Sequence, residues 1–333
     1  MGTNSRVLLA GAVESVITER DYSLVLDPEM AEHARRLAGS LRDDRPDVES
    51  LFTLAQFMWH RFRALGPKGR GERDIAFQLF ARCLIHGDKP LPRGIMRDIV
   101  PISIDLAIDL LRQSAEARKP PPADKVVDAW RRLESVTSDE YAERALVLAN
   151  LRIALLLRYG TTLDMADLDE AISAIRQAVA AAADDDPDRP RYLVYLGETL
   201  LMRSKHREAP SDVSEIIDVW REALRVLPED SPDRLTVLGR LGVALLMRFT
   251  NDETETGADL DEAIAILRQA VQAAPAGHPD RDKYVSNLAT ALEIRADMTE
   301  DPAHREEARA MQQEAAEAAR LQSRKHRFWR RTT

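Results

Sequence analysis

An arginine recurs along this chain at near-constant spacing, and that spacing constrains the fold more than any feature of composition. Arg144, Arg189, Arg234 and Arg281 lie 45, 45 and 47 residues apart, and a second arginine follows each after fourteen residues, at Arg158, Arg203, Arg248 and Arg295. Pro-Asp precedes the last three starts, as Pro187-Asp188, Pro232-Asp233 and Pro279-Asp280. Self-similarity at a fixed period of this size is the signature of a repeat array. Later in each repeat comes a second apolar-periodic segment: Leu168-Asp169-Glu170-Ala171-Ile172, Val213-Ser214-Glu215-Ile216-Ile217, Leu260-Asp261-Glu262-Ala263-Ile264, and Arg305-Glu306-Glu307-Ala308-Arg309. Each repeat therefore reads as two helices. Low glycine and proline (14 and 17 of 333 residues) and 5% aromatics also favour helix over strand.

The helix ends are marked. Ser231-Pro232 and Asp186-Pro187 read as an N-cap followed by proline at the first helical position. Asp167-x-x-Glu170, Asp212-x-x-Glu215 and Asp259-x-x-Glu262 read as aspartate variants of the capping box. Pro228 and Pro275 stop their helices. Small residues recur seven apart in the second helices at Ala171/Ala178, Ala263/Ala270 and Ala308/Ala315, with Ile216/Ala223 as a variant.

The repeat extends upstream. Trp130 stands two periods before Trp220 in a matching context. Equivalent anchors are Val126, Ala76 (with Cys83 seven later) and Ala31 (with Ala38). The expected fold is all-α: a right-handed α-solenoid of about seven antiparallel helix pairs with a 45–50 residue period, in which neighbours supply the core that no pair can bury alone. The expected organisation is 1–137, divergent N-terminal helical pairs; 138–319, four regular repeats; and 320–333, a basic tail. The first segment, from Arg6 to Arg20, reads as a helix whose apolar face is Val7, Leu8, Val13, Val16 and Ile17, and its apolar run is marginal for a secretory signal.

The pattern resembles the tetratricopeptide repeat family. The small residues seven apart and the Leu-Gly pairs Leu196-Gly197 and Leu241-Gly242 carry the resemblance, whereas Leu288-Ala289 and Leu151-Arg152 depart from it. The family's usual period is about 34 residues, so both loops are lengthened here. Residues 258–281 and the stretch from Leu54 to Pro92 further resemble the long tetratricopeptide arrays found with caspase-like CHAT proteases in GC-rich bacteria. No protease residue is matched. The resemblance implies a scaffold that binds a protein or peptide, or a regulatory partner of a separately encoded effector such as a CHAT-type protease. It implies no enzyme and no cofactor.

The residues agree with that class. A formal net charge of −9 argues against a dedicated nucleic-acid binder. No apolar stretch is long enough to span a membrane, and the expected location is cytoplasmic. One cysteine excludes a disulfide framework or multi-cysteine metal site, and the seven histidines show no ligand spacing, so no metal is expected. Cys83 and His86 are three apart, but Cys83 occupies a small-residue core position. An enzyme with a pocket between repeats is the remote alternative. Gly66 to Gly71 is basic and glycine-rich without the Gly-Lys-Ser/Thr ending that binds nucleotide phosphates. The acidic loops at Asp184-Asp185-Asp186 and around Asp252 lack calcium-loop spacing. Arg158, Arg203, Arg248 and Arg295 read as scaffold, each at a helix end where it complements the dipole and reaches nearby carboxylates.

Partner binding is expected on the concave face lined by first helices. The candidates there are Ile153, Arg191, Val194, Glu198, Val243, Lys283, Ser286 and Thr290. This set is mostly small and apolar around a few charges, which suits an apolar or helical segment. A second candidate contact is the tail, through Arg324, Lys325, Arg327, Phe328, Trp329 and Arg330.

Overall fold

A computed structural model describes residues 2–42, 46–117, 121–206, 210–251, 257–275, 277–299 and 302–313. Every regular element among them is helical. The chain divides into two compact units, residues 1–181 and 182–333.

The first unit contains α1 (Gly2–Glu19), the one-turn α2 (Ser23–Leu26), α3 (Pro28–Ser40), α4 (Val48–Leu65), α5 (Arg70–His86), α6 (Met96–Glu116), α7 (Ala123–Val136), α8 (Arg144–Thr162) and α9 (Met165–Ala181). The second contains α10 (Arg189–Ser204), α11 (Pro210–Val226), α12 (Pro232–Asn251), α13 (Ala258–Ala273) and α14 (Arg281–Thr299), followed by a helical run over 302–313. The pairs are α1/α3, α4/α5, α6/α7, α8/α9, α10/α11, α12/α13 and α14/302–313, which are the seven expected. Within the second unit each helix packs on the next, and first helices also touch the first helix of the next pair, as α10 on α12 and α12 on α14. That nearest-neighbour pattern defines a stacked repeat.

The repeat motifs mark where helices approach closely. A side-chain carbon at Gly197 would lie 2.1 Å from the Trp220 indole nitrogen, and one at Gly242 would lie 2.5 Å from Leu267. Glycine in the Leu-Gly pair is therefore the gap into which the second helix of the same pair inserts its bulk. Trp220 and Trp130 are fully buried. Of the small residues on the second helices, Ala171, Ala178, Ala223, Ala263 and Ala270 are fully buried.

The recurrent arginines take two distinct roles. Three of those that open first helices, Arg144, Arg234 and Arg281, reach back to the end of the preceding second helix, whereas Arg189 pairs with Glu222 at 3.0 Å. Arg144 Nη1 donates to the carbonyls of Glu134 (3.1 Å) and Thr137 (2.5 Å). Arg234 does so to Leu224 (2.7 Å) and Leu227 (3.2 Å), and Arg281 to Val271 (2.5 Å) and Ala274 (2.6 Å). The last carbonyls of a helix have no partner within it, so the side chain acts as a C-cap supplied by the next repeat. The arginines that close the first helices do what their position implies. Arg158 grips Asp167 through Nη2 at 2.6 Å, Arg203 grips Asp212 at 2.8 Å and Arg248 grips Asp259 at 2.6 Å. Arg158 also reaches back to Asp124 at 3.2 Å, and Arg295 makes the same backward contact, to Asp261 at 2.7 Å.

These pairs replace the capping boxes expected from the sequence. Asp167 and Asp212 lie inside the first helical turn and are nearly fully buried. The local turn before α9 is bonded instead by Asp164, whose carboxylate accepts from the Ala166 N–H at 3.0 Å. Glu170 and Glu262, three residues on, and Glu307 at the matching place in the last pair, point to the neighbouring repeat. Arg131–Glu170, Arg221–Glu262 and Arg268–Glu307 are each 2.5 Å apart and tie successive second helices together. The sequence pattern is the same for a capping box and for two inter-helix ion pairs, because both want acids in the first turn. Pro232 does open α12, but α10 begins at Arg189, and Asp186 caps the preceding turn through the Asp188 N–H at 2.8 Å.

The first two pairs are built differently. Their core is one apolar cluster in which Phe52 meets Phe80 edge-on (6.3 Å, 68°) and Trp59 stacks on Phe77 (5.9 Å). α1 buries Leu9, Ala12, Val13 and Val16, whereas Val7, Leu8 and Ile17 face outward, against the expected apolar face. Both faces of α1 carry apolar residues, so periodicity alone does not choose between them. The expected close approach at Ala31/Ala38 is also absent: α3 buries Ala34 and Leu37, and Ala38 is exposed. The Gly66 segment is a single 3-10 turn over Gly66–Gly69, with Gly66 at φ 58°, joining α4 directly to α5.

Candidate functional site

In the second unit, the first helices α12 and α14 leave a cleft of about 230 Å³ between them. Its position follows from a single glycine. A side-chain carbon on Gly239 would stand 2.2 Å from the Tyr284 ring, so the ring approaches α12 this closely only because residue 239 has no side chain. Val243 and Ala244, one turn further along α12, continue the apolar lining, and Leu201 from α10 closes the end.

The rim is polar and carries both charges. Lys283 Nζ donates to Asp280 at 2.6 Å, and that hydrogen bond holds the Asp280 carboxyl below the usual carboxylate range. The main-chain N–H of Asp280 bonds His278 Nδ1 at 3.2 Å, which orders the turn before α14. Arg240 pairs with Glu198 from α10. Asn287 also lines the cleft, and its amide has no hydrogen-bond partner among the described residues. Burial raises the Tyr284 phenol above its ordinary value, so at neutral pH it is a neutral donor. An apolar floor with a few placed polar groups is a surface for holding a side chain and orienting the backbone beside it.

The expected site residues are distributed as follows. Val243 and Lys283 line the cleft, and Glu198 adjoins it through Arg240. Ser286 and Thr290 are exposed on α14, with the Thr290 hydroxyl committed to the Ser286 carbonyl at 3.1 Å. Arg191 is exposed and tied to Asp188 at 2.6 Å. Val194 is buried at 5% exposure and belongs to the packing of the unit. Ile153 is half-buried on α8 in the first unit. The six tail residues from Arg324 to Arg330 lie outside the described residues. Counting positions along single first helices missed Arg240, Asp280, Tyr284 and Asn287. The pairing of a glycine on one first helix with an aromatic on the next was the available signal.

Cys83 sits elsewhere, fully buried, and burial pushes its thiol up to about 12. Among the described residues no three histidine, cysteine or acidic side chains gather as metal ligands, and no helix is long and apolar enough to cross a membrane.

No protein-family model matches the chain. No curated protein matches it either. Among solved structures it is similar to the nearly identical TPR-like repeats of a kinesin light chain of Podosopora anserina, at 17% identity over 67% of this chain and 97% of that one, with a TM-score of 0.41. A singly substituted form of the same protein gives 16% identity over 69% of this chain and 100% of that one, with a TM-score of 0.42. The repeat architecture of the present chain stands on its own helix pairs.

Proposed function

We propose that this chain is a non-enzymatic scaffold that binds a segment of another protein on its first-helix face. The observation that supports this most directly is the Gly239–Tyr284 cleft, with its apolar floor and a rim carrying Arg240, Asp280, Lys283 and a free Asn287 amide. That combination suits a short helical or extended segment presenting one aliphatic side chain between polar neighbours. The tail and a separately encoded protease effector are narrower versions of the same reading, supported by composition and resemblance alone.

The test is site-specific photocrosslinking in cells of the source organism. A photoreactive residue at Val243 should give a discrete protein adduct. The same residue at Gln269, exposed on α13, should not. Adding Lys283→Glu should remove most of the Val243 adduct while leaving the melting temperature unchanged. Equal adducts from both faces, or none from Val243, would sink this reading.

A further inference from the structure

The first and last helical segments differ in what they show outward. Stacked repeats stay soluble when the outer face of the terminal member is polar. The run over 302–313 meets that need, with Arg305, Glu306, Arg309, Gln312 and Gln313 exposed. α1 does not. It packs on α3 and α4 and buries Leu9, Ala12, Val13 and Val16. On its opposite face Val7 is 61% and Ile17 60% exposed, and Ala10 and Gly11 are exposed between them. No described helix covers this face, and exposed apolar faces of this kind mark contact surfaces.

Val7, Ala10, Glu14 and Ile17 are spaced by three, four and three residues, which sets them in one stripe along α1. The spacing is the same read in either direction. Two copies of α1 can therefore meet antiparallel about a two-fold axis, with Val7 on the partner's Ile17 and Ala10 on the partner's Glu14. The match holds in size and in charge. Both ends of the seam are apolar, and in the middle the small Ala10 leaves room for the glutamate stem. Glu14 is the one charge in the stripe, and its carboxylate has no partner among the described residues. The partner's Arg6 stands one turn from Ala10 and so lies within reach of that carboxylate. Within its own chain Arg6 makes no hydrogen bond or ion pair among the described residues and acts on Asp47 only through space. Gly11 flanks the seam, and a side-chain carbon there would meet nothing within 4 Å, so it leaves the backbones free to approach.

The other arrangements fit less well. A parallel pair would set Glu14 beside the partner's Glu14 and align the two helix dipoles. A head-to-tail contact would press the apolar face of α1 on the polar face of 302–313. We propose that α1 is the interface of a two-fold, antiparallel dimer of this chain. An isologous contact of this kind closes on itself and grows no filament. About three turns of helix from each copy bury less than the roughly 800 Å² per partner of a standard interface, so the dimer is weak, forming at about 10–100 µM.

Sedimentation velocity of the full chain over about 5–500 µM should show a reversible shift from monomer to dimer. Ala10→Glu sets like charges together across the seam and should weaken association at least tenfold. Its melting temperature should not change, because residue 10 is exposed. Leu8→Glu adds the same charge to α1 outside the seam and should leave association unchanged. Disulfide formation reads the orientation. Val7→Cys mixed with Ile17→Cys should cross-link under mild oxidation, and neither variant alone should do so, the natural Cys83 being fully buried on α5. The cross-link keeps the test decisive should Ala10→Glu fail to fold. A monomer at every concentration would overturn the proposal and leave the face to another protein or to lipid. Association that survives in a folded Ala10→Glu, that falls equally with Leu8→Glu, or Val7→Cys cross-linking to itself as readily as to Ile17→Cys would overturn it as well.

Discussion

The first two helix pairs and the later repeats solve the same packing problem by different means. From α7 onward, three arginine devices recur: a C-cap for the preceding helix, a grip on the buried aspartate of the following helix, and a tie between successive second helices. Before α7 the tie is missing at the matching positions, where Ala81 and Ile75 stand instead of the tying arginine and glutamate. There the helices are held by an aromatic and aliphatic cluster, with one ion pair of the gripping kind, Arg61–Glu72 at 3.4 Å. Directional polar contacts fix a register that can be repeated, whereas apolar packing tolerates irregular spacing. The tie between second helices also ends cleanly. The position of Glu170 is Lys125 in the first member, and the position of Arg131 is Gln313 in the last. Neither end offers the missing half of a further pair.

The largest way to break this contrast is to remove a gripping arginine. Arg203→Met leaves Asp212, itself 4% exposed, as a buried carboxylate without its partner. Losing one member of a buried pair costs about 3–5 kcal/mol. Urea denaturation should show that loss. Arg35→Met, in the N-terminal pairs, should change stability by no more than about 0.5 kcal/mol, because its contact with Glu32 is solvent-exposed. A loss at Arg203 below about 1 kcal/mol would remove the distinction drawn here between the regions.

The next effect tests close approach. Gly197→Ala places a methyl group into the Trp220 indole and should cost about 1–3 kcal/mol. Gly160→Ala meets no atom within 4 Å near the end of α8 and should be neutral or stabilising by up to about 1 kcal/mol. Thermal melts of the two variants should therefore move in different directions.

Much of this was legible in the sequence, and the limits have physical causes. The Arg-to-Arg spacing and the small residues seven apart predicted seven pairs, because a buried stack repeats its steric and electrostatic needs at every step. The capping-box reading of Asp167 and Glu170 failed because a helix N-terminus accepts acids for several reasons, and only the position of Arg158 and Arg131 in space decides among them. The face of α1 was misread because Val7 and Ile17 are as apolar as Val13 and Val16. The cleft was half legible: Val243 and Lys283 follow from counting along one helix, but Tyr284 against Gly239 depends on how two first helices face each other.

A smaller effect comes from the ties between second helices. Arg268 holds the Glu307 carboxyl below its ordinary pKa through a 2.5 Å hydrogen bond. A carboxyl whose folded pKa is depressed binds fewer protons folded than unfolded, so its contribution is present above the ordinary glutamate pKa and is lost as pH falls through the lower folded value. Both side chains are more than a third exposed, so the contribution is about 0.2–1 kcal/mol. Arg268→Gln should lower stability by that amount at pH 7 and in low salt. The gap from the unaltered protein should shrink in high salt and close in acid, below the depressed folded pKa of Glu307.

The smallest effect concerns Cys83, which stands in the N-terminal pairs where later repeats have alanine. Fully buried on α5, with its thiol pushed up to about 12, it carries almost no thiolate at neutral pH. Reaction with a thiol-specific disulfide reagent in mild alkali should therefore proceed only as fast as this unit opens, and its rate should rise with urea well below the global midpoint if the N-terminal pairs open before the regular repeats. The later repeats carry arginine ties between second helices that the pairs around Cys83 lack, so earlier opening of the N-terminal pairs is the expected order. Labelling that tracks global unfolding at every urea concentration would show instead that the apolar cluster and the arginine-tied repeats melt as one cooperative body.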